Sequence, residues 1–129
     1  MKIFCDMDGV LVRQTGRSGF DAMPWMPDGK VLWEFIKPFN PTLLSQLPDE
    51  NWARCMPEKC LWAVRNLGHD VQVIVVMKSH GKGCYAAPGY ALIDDDPHAH
   101  KAGWEAAGGT FVHHVNARST ISALKAIIK

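Results

Sequence analysis

At 129 residues and 47% hydrophobic content, the chain can bury a core but is too short for two ordinary domains. A formal net charge of +1 argues against any global field that would gather nucleic acid or an anionic membrane. Cys5, Cys55, Cys60 and Cys84 form no CxxC pair, so they read as free thiols in a reducing compartment. No apolar stretch is long enough to span a bilayer, and the N-terminus runs straight into a strand. The expectation is a cytoplasmic protein without signal peptide or membrane anchor.

The chain opens on KIFCDMDGVLV, Lys2–Val12. Apolar Ile3 and Phe4 lead a strand of about Lys2–Asp6, and Asp6 and Asp8 stand one residue apart at its end, followed by Gly9. Ligands of a parallel sheet sit beyond the C-terminal ends of its strands. Two carboxylates there suit a hard cation such as magnesium, which takes one or two carboxylates, keeps water and shares positions with phosphate. Alone, the stretch also reads as a strand ending in an ordinary Asp and Gly turn.

The loop Arg13–Asp28 is rich in Gly, Pro and Met and carries Trp25 in an apolar MPWMP run. Val31, Leu32, Phe35 and Ile36 give Lys30–Phe39 helical spacing, ended by Pro38 and Pro41. Thr42–Ser45 reads as a short strand. Pro57–Leu67 reads as a helix, with proline at its start and Gly68 past its end. The β-branched run Val71–Met77 predicts a strand buried on both faces.

Ala91–Asp96, followed by Pro97, is a short apolar strand ending in three consecutive aspartates. Asp96 before Pro97 is a helix-start signature. Asp94 and Asp95 have no such use, and if both acidic strand ends lie side by side they surround one metal-sized space with Asp6 and Asp8. His98–Ala107 reads as a helix closed by Gly108 and Gly109, and Thr110–His113 as a strand. Ser119–Ile128 reads as a helix with Ile121, Leu124, Ile127 and Ile128 facing the core. The alternation predicts one domain over residues 1–129, an α/β/α three-layer sandwich around a mainly parallel, Rossmann-like sheet.

At DMDGVLV (Asp6–Val12), TLLS (Thr42–Ser45), a lysine within Lys78–Lys82 and LIDDD (Leu92–Asp96), in that order, the chain resembles the haloacid dehalogenase (HAD) superfamily of aspartyl phosphohydrolases. WEAAGGTFVHH, Trp104–His114, looks like its small phage-associated and deoxynucleotidase-like members. Receiver domains also cluster aspartates, but with an acidic pair first and the lysine late.

The resemblance implies a magnesium-dependent phosphomonoesterase. Asp6 would be the nucleophile that forms an aspartyl-phosphate, and Asp8 the acid that protonates the leaving oxygen and then activates water. Magnesium would be held by the Asp6 carboxylate, the Asp8 backbone carbonyl and Asp95, with Asp94 behind them or bound through water. Ser45 would hold a phosphate oxygen. Lys82, with Lys78 as runner-up, would offset its charge.

Residues 13–28 stand where larger relatives insert a cap domain and are too few for one. They form a minimal lid in which Trp25, with Ser45 and Gly9, could contact substrate. Trp25 either stacks on a base or packs into the core, and both readings stay open here. The substrate expected is a nucleotide or another small organic phosphate. Two alternatives remain: a phosphatase of nucleic-acid 3′-phosphate ends, with Arg13, Arg17, Lys30 and Lys37 as a basic track, and a non-catalytic module of the same fold. A zinc site is not expected. His98 and His100 do not share a helix face, and His113 and His114 point to opposite sides of a strand.

Overall fold

The computed structural model describes residues 1–15 and 19–128. Five strands, β1 (Lys2–Cys5), β2 (Thr42–Leu47), β3 (Val73–Met77), β4 (Tyr90–Asp94) and β5 (Thr110–His113), form one sheet in the order β3-β2-β1-β4-β5. Every neighbouring pair is parallel. The helices are α1 (Gly29–Ile36), α2 (Trp52–Leu67), α3 (Pro97–Ala106) and α4 (Ala117–Ile127). From β1 the chain winds outward through β2 to β3, then crosses back to β4 and continues to β5. Its direction therefore reverses between β1 and β4, and the ends of these two strands form the crevice where such sheets bind ligands.

Alternation along β1 makes the layers. Ile3 and Cys5 face one side with Leu43, Ile93 and Val112, under Leu32, Trp33 and Ile36 of α1, Trp62 and Ala63 of α2, and Leu124 of α4. Phe4 faces the other side with Leu44, Leu92 and Phe111, under Trp104 of α3, whose ring meets that of Phe4 edge-on at 5.4 Å. The result is the three-layer sandwich expected, with three helices on one face and α3 on the other. Among the described residues, no helix is long and apolar enough to cross a membrane.

Three local expectations need correction. The run Val71–Met77 is not buried on both faces: β3 is the sheet edge, paired only with β2, and of its residues only Val76 is buried. The second helix begins at Trp52 rather than Pro57, behind Asn51, which takes the left-handed conformation (φ 61°). Pro57 lies inside it and leaves the Ala53 carbonyl without its helical donor. The first helix yields at Lys37 to a 3-10 turn, Lys37–Phe39. The start of α3 is as read: Asp96 accepts from the Ala99 N–H at 3.1 Å with Pro97 in the first turn.

The loop before α1 folds back on the end of the first motif. Arg13 N–H donates to Pro24 O at 2.8 Å and Met26 N–H to Leu11 O at 2.7 Å, with a bridge between Val12 and Trp25. Trp62 of α2 donates its indole N–H to Met23 O at 2.8 Å, and its ring lies 5.1 Å from that of Trp25. Gly16, Arg17 and Ser18 of this loop lie outside the described residues.

Candidate active site

Parallel register between β1 and β4 sets Cys5 beside Ile93, so the residues just beyond meet at the reversal point. Asp6 N–H donates to Ile93 O at 2.9 Å, which carries the pairing one residue past the strand. The Lys82 ammonium, 1% exposed, lies 3.0 Å from Asp6 Oδ1 and 2.7 Å from Asp94 Oδ2. Asp94 Oδ1 accepts from the Asp96 N–H at 2.8 Å, so both oxygens of Asp94 are engaged. One carboxylate oxygen each from Asp6, Asp94 and Asp95 fall within 4.8 Å of one another.

Three carboxylates around one lysine leave negative charge uncompensated. Burial pushes the Asp6 carboxyl up from 3.8 to about 8; Lys82 opposes this, while the charges of Asp94 and Asp95 add to it. Asp95 is raised too, by burial first and then by Asp94. Burial works against the Lys82 charge, yet Asp6 and Asp94 outweigh it and hold its pKa above 10.5. Crowded hard oxygen donors with raised proton affinity suit a small divalent cation, so the residues fit magnesium. Gly9 makes room for the cluster. Its backbone is left-handed (φ 78°), and a Cβ there would overlap the Asp95 carboxylate.

The side chain of Asp8 points away from this trio. Its Oδ1 accepts from Gln14 Nε2 at 3.3 Å and its Oδ2 lies 3.4 Å from the Lys59 ammonium. Ser45 is fully buried, and its hydroxyl accepts from Lys59. A polar cleft of about 430 Å³ opens over the site, lined by Asp6, Asp8, Gly9, Gln14, Gln46, Lys82, Asp94, Asp95, Asp96 and His100.

Of the residues singled out in the sequence, Asp6, Asp8, Gly9, Lys82, Asp94 and Asp95 come together here, with Ser45 beneath them. Lys78 does not: it is exposed, 3.8 Å from Asp49. Nor does Trp25, which packs on Trp62 and lines a separate cleft with Trp33, Lys30 and Lys37. Two residues of the candidate basic track are engaged elsewhere: Lys37 pairs with Glu34 at 3.0 Å, and Lys30 lies over the Trp25 ring at 5.9 Å. His98 and His113 are exposed while His100 and His114 are buried. Sequence reasoning missed Lys59 and Gln14, and weighed His100 only as a metal ligand; its buried Nδ1 has no hydrogen-bond partner among the described residues. Lys59 left a trace: with Trp62 and Ala63 it forms the buried stripe of α2, where a charge is out of place.

No family model and no curated protein matches the sequence. Solved structures do match in three dimensions. A D,D-heptose 1,7-bisphosphate phosphatase from B. bronchiseptica, complexed with magnesium and phosphate, aligns over 99% of this chain and 100% of its own, with a TM-score of 0.57 and 14% identity. The fold is that of these phosphatases. The corresponding enzyme from Burkholderia thailandensis aligns over 100% of both chains, with a TM-score of 0.52 and 13% identity. At such identity the likeness establishes architecture, and the chemistry rests on the site itself.

Proposed function

We propose that this chain is a HAD-type phosphohydrolase that cleaves phosphomonoesters with magnesium through an aspartyl-phosphate on Asp6. The observation that carries the reading is the buried Asp6–Lys82–Asp94 group at the reversal point, with Asp95 beside it and Asp8 on the following loop. Asp6 and Asp95 would hold the metal, with the Asp8 carbonyl as a further ligand, while Asp94 holds Lys82. The bound ion would supply positive charge against the phosphoryl oxygens.

The Asp6 carboxylate attacks phosphorus and the ester P–O bond breaks, with the leaving oxygen taking a proton from Asp8. Water then attacks phosphorus, returns a proton to Asp8 and releases inorganic phosphate, which frees Asp6. Lys82 favours the ionised form of Asp6 against burial and offsets charge that would otherwise repel the substrate. The cleft offers amides, carboxylates and one imidazole rather than an aromatic platform. It therefore favours a small polar organic phosphate over a nucleotide held by stacking. Absence of turnover by the magnesium-loaded protein on p-nitrophenyl phosphate and a panel of sugar, glycerol and nucleotide phosphates would overturn the reading. Magnesium-dependent turnover that disappears in chelator and in Asp6→Asn, with a trapped phosphoenzyme in the parent protein, supports it.

A further inference from the structure

The molecule holds a second buried lysine, which the reaction above does not use. Lys59 sits two turns into α2, 2% exposed, and its ammonium reaches back over the end of β2. It donates to the Ser45 hydroxyl, to Gln46 O at 2.8 Å and to Asp8 Oδ2 at 3.4 Å. Phe20 closes the remaining side, its ring centroid 5.0 Å from the ammonium. An ammonium has three N–H donors and no acceptor. All three are used, so none is left for a phosphate oxygen.

Burial decides the direction of support. Ser45 and the Gln46 carbonyl lie on β2, inside the fold, and Ser45 is fully buried. The Asp8 side chain is 37% exposed and lines the cleft. The chain of contacts thus runs from a fixed strand, through a desolvated cation, to a carboxylate at the edge of the reacting space. A buried charge is tolerated only when paired and hydrogen-bonded, and the two strand acceptors make this one tolerable while its third N–H restrains Asp8. Gln14 restrains the other Asp8 oxygen.

We propose that Lys59 is a positioning residue that holds Asp8 for proton transfer to the leaving group, with Ser45 as its anchor rather than as a direct phosphate ligand. The proposal rests on the phosphatase reading. Its signature is leaving-group dependence, because p-nitrophenolate departs without a proton whereas an alkoxide needs one.

The test compares p-nitrophenyl phosphate with glycerol phosphate for the magnesium-loaded full chain and for Lys59→Met, Lys59→Arg and Ser45→Ala, with melting temperatures in parallel. For Lys59→Met, kcat on glycerol phosphate should fall about a hundredfold, within the range that a placed general acid contributes, and on the aryl ester less than about tenfold. Lys59→Arg should recover most of the alkyl activity. Ser45→Ala should reproduce the alkyl-selective loss in kcat with little change in KM.

Equal losses on both substrates, or a rise in KM for both in Ser45→Ala, would overturn the proposal and leave the phosphatase reading standing. A parent protein without turnover on either ester overturns both. If Lys59→Met does not fold, Ser45→Ala decides the matter by the same ratio.

Discussion

The acidic edge at the ends of β1 and β4 and the loop before α1 are both polar-to-apolar mixtures, yet they are held by opposite physics. At the edge, Asp6, Asp94 and Asp95 crowd one lysine, and the fold carries their repulsion. In the loop, Met23 and Trp25 dock on Trp62, and apolar contact holds the chain against α2. The contrast separates where this protein is built for charge from where it is built for stability. Binding sites are commonly drawn from the strained, less stable part of a fold.

Lys82→Met breaks the charged region most completely. It leaves buried carboxylates without their cation, and the expected cost is about 3–5 kcal/mol in urea unfolding together with loss of turnover. Retained stability would mean that Lys82 does not hold the carboxylates together.

Trp25→Ala tests the other region. A partly buried ring on Trp62 should cost about 2 kcal/mol, below the range for a fully buried tryptophan. Turnover of a nucleotide and of an aryl phosphate should change equally. A selective rise in KM for the nucleotide, with unchanged melting temperature, would restore the lid that the sequence suggested.

Asp6→Asn sharpens the comparison by relieving charge instead of removing packing. The Asp6 carboxyl is raised above its ordinary 3.8 to about 8, so the folded chain holds that proton more tightly than the unfolded one. Its contribution is fully present below about 3.8 and is lost as pH rises through about 8. The metal-free parent should therefore lose stability across that window. Asp6→Asn should lack this slope and be the more stable of the two at pH 9, while turnover and the phosphoenzyme vanish. A parent unfolding curve independent of pH over that range, with chelator present, would remove the argument for carboxylate crowding.

Short motifs determined much of this protein because their signals are local. A strand ending in Asp6 and Asp8, another ending in Asp94 and Asp95, and the alternation of elements between them specify a parallel sheet with acid at its C-terminal edge. Gly9 and the Asp96–Pro97 helix start are equally local, since each depends on backbone conformation at a single turn.

The tertiary structure alone decided the remainder, because distance in space is not written in spacing along the chain. The sequence already favours Lys82 over Lys78, but the contact of Lys82 with Asp6, 76 residues away, comes from the crossing between β3 and β4, which carries it over the reversal point. The run Val73–Met77 has the composition of a central strand but lies at the edge, because strand order is set by connections. Trp25 faces Trp62 rather than the cleft, because α2 offers an apolar partner that only the packed helix creates. Lys59 reaches Asp8 across 51 residues, because helix periodicity turns it inward under Phe20, where Ser45 and the Gln46 carbonyl can receive its charge.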